Sequence, residues 1–202
     1  MEFGTVVRRR RMVRAFQNRP VEAEKLARLL EYAQRAPSAG HLEPQEFILV
    51  QDATRKRQLA EAALGQEFIV QAPVVIVVCA DARRTTWRYG QRGWERYCIT
   101  DGAFASLLIL LTAVDEGLGA CFVGAFRDAE VARVLGLPPQ VRPIGIIPIG
   151  YPGEGPVRVG RRPLAERVHL EGWGNPLPPA PSLHQALTAW LGTSSSTVHP
   201  TF

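Results

Sequence analysis

Lysine is nearly missing from this chain. Of its 24 basic residues only Lys25 and Lys56 are lysines, so 24 − 2 = 22 are arginine. The formal charge of +5 therefore sits on planar, forked groups suited to phosphate and carboxylate. Cysteine is scarce as well. Cys79, Cys98 and Cys121 are far apart and odd in number. They exclude a disulfide framework and a Cys-x-x-Cys site, and they fit a reduced, cytoplasmic protein. His41, His169, His184 and His199 are scattered with no His-x-x-x-His pair, so no metal site is expected. Long apolar runs are lacking. The most apolar stretch, Ala103 to Val114, is too short for a bilayer and is bounded by Asp101, Asp115 and Glu116. It reads as a buried helix, and no membrane partner is expected. The N-terminus is charged and carries no signal-like apolar segment. There is no Walker loop. The dinucleotide fingerprint fails after Gly117 and Gly119, where the third glycine position is Phe122. It fails again after Gly153 and Gly155, where that position is Arg158.

What is present is a run of short elements. A helix is expected over Glu2–Arg10, and a second over Glu22–Arg35 with Leu26, Leu29, Leu30 and Ala33 on one face. Strands are expected at 47–50, 74–79, 120–123 and 144–149, with Pro148 suggesting an edge or a bulge. Asp52 and Asp128 are candidate caps for helices ending near Leu64 and Gly136. A long helix is expected from Trp94 to Glu116. Gly and Pro dominate from Tyr151 to Pro156, and a basic segment, Arg158–Pro163, follows. The chain is read as one domain over residues 1–174 and a Pro-rich extension over 175–202. In that extension Ser182 and Gln185 form a capping box for a last helix with Leu183, Leu187, Trp190 and Leu191 on one face. The end, from Gly192, is expected to be disordered.

Two constellations can carry chemistry. Arg8–Ala15 contains five arginines. If that stretch is helical or turn-like, Arg10 and Arg14 share a side, Arg11 lies near, and together they can hold a phosphate by charge-assisted, bidentate bonds. Arg161 or Arg162 can complete the site. The alternative is a basic arm on nucleic-acid backbone. Against it stand the lack of interleaved aromatics beyond Phe16 and of any helix-turn-helix or oligonucleotide-fold signature. In the second constellation Pro37, Ser38, Ala39, Gly40 and His41 leave backbone bare for a flat ligand. The segment superficially matches a nucleophile elbow at Ser38. That elbow must follow a strand and precede a helix, and here the order is reversed.

Over residues 2–174 the chain resembles the FMN-dependent nitroreductase family. The resemblance rests on Arg10-Arg11-Met12-Val13-Arg14-Ala15-Phe16, Ala36-Pro37-Ser38-Ala39-Gly40-His41 and Gly117-Leu118-Gly119 through Gly124-Ala125-Phe126. Pro148-Ile149-Gly150-Tyr151-Pro152 and Arg161-Arg162-Pro163-Leu164 complete it. It implies an α+β fold with a mixed, mainly antiparallel sheet flanked by helices, built as an intertwined homodimer with two FMN molecules at the subunit interface. Arg10, Arg11, Met12, Arg14 and Arg161 would line the phosphate. Pro37–His41 would line one part of the flavin ring, and Phe122, Val123, Gly124 and Ala125 another, with the Gly124 N–H near flavin N5. The cofactor carries the hydride chemistry, so no catalytic side chain is named. Met12 stands where the family has Ser, His41 where it has Asn, and Thr100 where Gln is common before Asp101.

The implied activity is reduction of a small-molecule acceptor, a quinone, nitroaromatic or similar conjugated compound, by NADH or NADPH in a ping-pong cycle. Alternatives are a dehalogenase-like or flavin-fragmenting specialist of the same fold, a flavin-binding protein without turnover, and the arginine-arm nucleic-acid binder.

Overall fold

The β-branched run at Val74–Asp81 forms β2, and all eight of its residues are buried. A strand covered on both faces needs a neighbour on each side and a layer above and below. In the computed structural model β1 (Gln45–Val50) pairs antiparallel with β2 on one side, and β4 (Val141–Gly150) does so on the other. The two-residue β3 (Gly119–Ala120) pairs antiparallel with β4, giving the order β1-β2-β4-β3. The described residues are 1–156 and 160–193. By contact density the chain divides after Pro156 into two units, Met1–Pro156 and Val157–Phe202. Composition puts the expected boundary at 174.

Alternate side chains of β2 feed two cores. Val74, Ile76 and Val78 meet helices α2 (Ala23–Ala33) and α6 (Cys98–Asp115). Val75, Val77 and Cys79 meet α3 (Ala53–Ala62), α4 (Phe68–Gln71) and α7 (Asp128–Leu135). The α2 pattern is as expected, with Leu29 and Ala33 fully buried. Short helices α1 (Phe3–Arg9) and α5 (Arg83–Tyr89) complete the α-helical elements of this unit. A π-helical turn at Gly93–Tyr97 runs directly into α6. The stretch Gly93–Asp115 is long and apolar enough to cross a membrane by composition, but half of its most apolar window is buried against the protein, as in a core helix.

Local chemistry sets the ends of these elements. Asp52 caps α3 by accepting the Arg55 N–H at 2.8 Å. Asp128 does not cap α7: Arg127 takes the cap position and Asp128 is the first helical residue, where its charge still suits the helix dipole. Gly136 closes α7 in the left-handed conformation. Pro148 sits inside the sheet, opposite Val75. Its carbonyl accepts the Cys121 N–H at 3.3 Å, so its N–H-less nitrogen faces the side where β3 has already ended. The ladder irregularity lies elsewhere, at Val78/Cys79.

The second unit has a short turn at Leu164–Arg167 and a helix, α8 (Leu183–Thr193). Half of the expected capping box forms there: the Gln185 N–H reaches Ser182 Oγ at 3.3 Å, but Gln185 Oε1 accepts the Ser182 hydroxyl at 3.2 Å and not its backbone N–H. The disorder expected from Gly192 is corrected for Gly192 and Thr193, which continue α8; Arg158 and the rest of that tail, residues 194–202, lie outside the described residues.

Candidate functional site

The stretch after α1 is extended, which corrects the helical or turn-like geometry considered for Arg10–Arg14. Met12 bridges Ala120 in parallel and Phe16 bridges Pro152 antiparallel. The Val13 N–H reaches the Ala120 carbonyl at 3.0 Å, and the Ala15 carbonyl accepts the Gly153 N–H at 2.8 Å. These partners are remote in sequence, so no local periodicity announces them. The arginines then separate by task. Arg11 donates to the carbonyls of Gly155 and Glu154, and so braces the following turn. Arg14 places its guanidinium 5.9 Å from the Phe68 ring centre, and its backbone N–H reaches the Glu154 carboxylate at 2.9 Å. Arg10 differs from both: its Nη1 is buried with no hydrogen-bond partner among the described residues. An unpartnered buried guanidinium nitrogen is costly unless an anion completes it.

Met12 is spoken for by the protein. Its sulfur accepts the Phe122 N–H at 3.3 Å, and its side chain packs against both cores. Phe122 in turn lies across Gly145: a Cβ there would fall 2.2 Å from the ring, so only glycine admits it. Val123 is buried and exchanges both backbone bonds with Ile146, at 2.9 and 3.0 Å. Gly124 and Ala125 are exposed. No partner for the Gly124 N–H occurs among the described residues, so a donor faces outward one residue beyond the Val123 bridge.

The second constellation is a tight loop. Ser38 closes it twice, its carbonyl accepting the His41 N–H and its hydroxyl accepting the Glu43 N–H, both at 3.0 Å. Among the described residues no side-chain base is bonded to that Oγ, so Ser38 lacks the partner a serine nucleophile needs. Gly40, His41 and Glu43 all have positive φ, which is costly for the two non-glycine residues. The His41 side chain is 89% exposed, with Nε2 3.3 Å from the Glu43 carboxylate. Pro37 is exposed and borders a cleft of about 560 Å³, which Tyr32, Arg35, His41 and Glu43 also line.

Two neighbours of this loop were not singled out as site residues by sequence. Asp101, on the first turn of α6, accepts the Ala39 N–H with both oxygens at 3.2 Å. Burial pushes its pKa up, against the lowering effect of that bond. The other neighbour is α5, whose Arg88 and Tyr89 crowd Gly40. Asp101 reads in sequence as the boundary of an apolar run and as the residue after Thr100, with no role toward the 37–41 loop, and α5 has no apolar periodicity.

Among the described residues no hydrogen bond, ion pair or ring contact joins the Arg10–Phe122–Gly124 group to the Pro37–His41 loop. Arg161 and Arg162 are exposed residues of the second unit. No group of three or more His, Cys, Asp or Glu able to hold a metal occurs among the described residues.

The sequence profile of the nitroreductase family matches residues 7–67 and 61–151. The NADH dehydrogenase of Thermus thermophilus is 33% identical over 199 residues, covering 84% of this chain and 96% of that protein. An FMN reductase [NAD(P)H] of Bacillus subtilis is 32% identical over 181 residues, covering 82% and 72%. The crystal structure of a nitroreductase family protein from Clostridium novyi superposes with a TM-score of 0.70 at 27% identity, covering 87% of this chain and 97% of that one. The fold is shared with that Clostridium novyi protein, and on sequence and structure together the chain belongs to the nitroreductase family.

Proposed function

We propose that this protein is an FMN-dependent oxidoreductase that takes electrons from NADH or NADPH and passes them to a quinone, a nitroaromatic or a similar conjugated acceptor. The observation that carries the reading is the buried Arg10 Nη1 without a partner, close in sequence to Met12, whose sulfur meets the Phe122 N–H. A phosphate monoester supplies the missing acceptor. The exposed Gly124 backbone offers the N–H that the family directs at the flavin ring. FMN, when bound, supplies hydride acceptance and hydride donation.

The residues around it bind and orient. Arg10 and Arg14 hold the phosphate, Gly124 presents a fixed donor, and the rigid 37–41 loop lines a ring edge without titratable groups of its own other than His41. No side-chain acid or base is needed. Donor and acceptor use one pocket in turn, which gives ping-pong kinetics.

The two halves of the site lack a direct bond within one chain, which supports a homodimer in which one protomer supplies the arginines and its partner the loop. The solvent side of α6 supports it too. Ile99, Phe104 and Leu107 are 36%, 46% and 47% exposed there, an apolar stripe on the longest helix that a second copy would cover. Leu183 and Leu191 of α8 are exposed as well, in keeping with a C-terminal helix that reaches a partner. The three cysteines are all buried and free, which fits a reducing, cytoplasmic setting.

The test is the absorption spectrum of the purified protein, reconstituted with FMN and titrated anaerobically with NADH and with NADPH. A flavin spectrum that bleaches, and recovers on adding a quinone, is the expected result. A protein that binds no FMN, or a bound flavin that neither nucleotide reduces, overturns the reading.

A further inference from the structure

The segment between β2 and α6 is unusually basic. Arg83, Arg84, Arg88, Arg92 and Arg96 face a single acid, Glu95. Two of the five are paired outside the segment: Arg83 with Asp81 at 2.6 Å, and Arg84 with Glu46 at 4.0 Å. Arg88, Arg92 and Arg96 have no carboxylate partner among the described residues. The segment is also well braced. The Thr85 hydroxyl bridges the Ala82 and Gly93 carbonyls at 3.2 and 3.1 Å. Tyr89 and Tyr97 meet edge-on with centroids 4.8 Å apart. Arg92 spends its Nε on the Tyr97 hydroxyl at 2.8 Å.

Arg88 and Arg96 are exposed and make no hydrogen bond or ion pair among the described residues, and Arg88 is the one that lies against the 37–41 loop. Its guanidinium lies 5.5 Å from the Tyr89 ring centre. A Cβ on Gly40 would meet the Tyr89 hydroxyl at 2.5 Å and Arg88 Nη1 at 3.0 Å. An unpaired planar cation and a phenol hydroxyl therefore touch the loop that the proposed function sets against the flavin ring.

We propose that Arg88, steadied by Tyr89, reads an anionic substituent on the substrate, so that the pocket selects planar compounds bearing a carboxylate or a phosphate. This rests on the flavin reading of the 37–41 loop. The same chemistry can come from two sources, the 2′-phosphate of NADPH or a carboxylate on the electron acceptor. A solvated arginine with no ligand is the competing reading. The placement of Arg88 and the Tyr89 hydroxyl against Gly40 favours recognition.

The experiment is calorimetric binding to the FMN-loaded protein without reductant, so that no turnover intervenes. One arm compares 4-nitrobenzoate with 4-nitrobenzamide, and the other compares 2′-phospho-ADP-ribose with ADP-ribose. Each is measured on wild type, Arg88→Gln and Arg88→Lys. In at least one arm wild type should prefer the anionic member, and Arg88→Gln should lower that preference by about tenfold, the size of one charge-assisted bond. Arg88→Lys should recover part of it. The arm that responds identifies the source. Equal binding of charged and neutral members by wild type, or an unchanged preference in Arg88→Gln, overturns the assignment. The anaerobic bleaching titration tests the flavin reading separately. A protein that bleaches but shows no charge preference loses only the Arg88 inference.

Discussion

Both carboxylate oxygens of Asp101 lie 3.2 Å from the backbone nitrogen of Ala39. This ties the first turn of the core helix α6 to the loop proposed to line the flavin. Asp101→Ala leaves the Ala39 N–H without its partner, at a cost of about 1–3 kcal/mol. Urea unfolding should show that loss, and amide exchange at residues 38–41 should accelerate more than exchange in β2. Burial raises the Asp101 pKa, so the folded state holds this proton more tightly than the unfolded chain. Its contribution is therefore greatest at low pH and declines as pH climbs from the ordinary value of 3.8 through the raised one. Compared with Asp101→Asn, the wild type should gain stability on acidification across that window. A pH-independent difference between the two proteins would contradict the assignment.

Arg10 and Arg11 are adjacent and should fail differently. Arg10→Ala removes a guanidinium whose buried nitrogen has no partner among the described residues. FMN affinity should drop by roughly tenfold or more, the equivalent of one charge-assisted bond. Arg11→Ala frees the carbonyls of Glu154 and Gly155, so its first effect should be on thermal stability. Flavin fluorescence titrations and melting curves on both variants make the comparison. The reverse assignment of effects would show that the phosphate-binding arginine has been misidentified.

Met12→Ser restores the family's hydroxyl but removes a sulfur that accepts the Phe122 N–H and packs on both cores. The half-buried side chain makes a loss of about 1–2 kcal/mol the expected outcome, below the range for a fully buried methionine. The denaturant midpoint measures it. An unchanged midpoint would mean that Met12 packs no better than serine.

Phe104 and Leu107 lie on the exposed side of α6. Phe104→Asp places a charge in the middle of the face proposed to meet a second copy. Sedimentation should find a dimer for wild type and a monomer with little bound FMN for the variant. A flavin-loaded, active monomer of either protein would contradict the shared-site reading.

Tyr151 holds Glu22 in its ionised form. The phenol hydroxyl lies 2.7 and 2.9 Å from the two carboxylate oxygens, and chiefly through this bond, with a backbone bond, Arg19 and Lys25 helping, the Glu22 pKa is drawn down to about 2 from 4.5. A depressed carboxylate stabilises above its unfolded pKa and loses that effect as pH falls toward its folded value. Acid unfolding of Tyr151→Phe should therefore begin at higher pH than in wild type. Superimposable acid-unfolding curves would show that the bond does not matter in solution.

The parts of the fold that were legible in sequence rest on local chemistry. The four-position spacing of Leu26, Leu29, Leu30 and Ala33 marks a half-buried helix, and an unbroken β-branched run marks a strand covered on both faces. Side-chain oxygen at Asp52 and glycine at Gly136 mark helix ends. The arginine cluster and the 37–41 loop were visible for the same reason, since their composition is unusual at short range. Non-local geometry was hidden. The extended course of Met12–Phe16 is set by Ala120 and Pro152, more than a hundred residues away. Phe122 over Gly145 and Asp101 under Ala39 are likewise pairings that only the folded sheet creates. The α5 segment was missed because its Trp, Tyr and Arg residues follow no apolar period. Its importance comes from what it touches.

The separation of the Arg10 group from the Gly40 loop has a consequence for mixed populations of the protein. If each flavin is shared across the dimer, a chain carrying Arg10→Ala and a chain carrying Gly40→Val are each defective as homodimers. Paired with one another they would form one doubly damaged centre and one intact centre. Coexpression of the two inactive variants should therefore restore activity, with a single reducible flavin per heterodimer. In a cell holding both wild-type and Gly40→Val chains, damage would follow centres and not chains, and every mixed dimer would keep half its capacity.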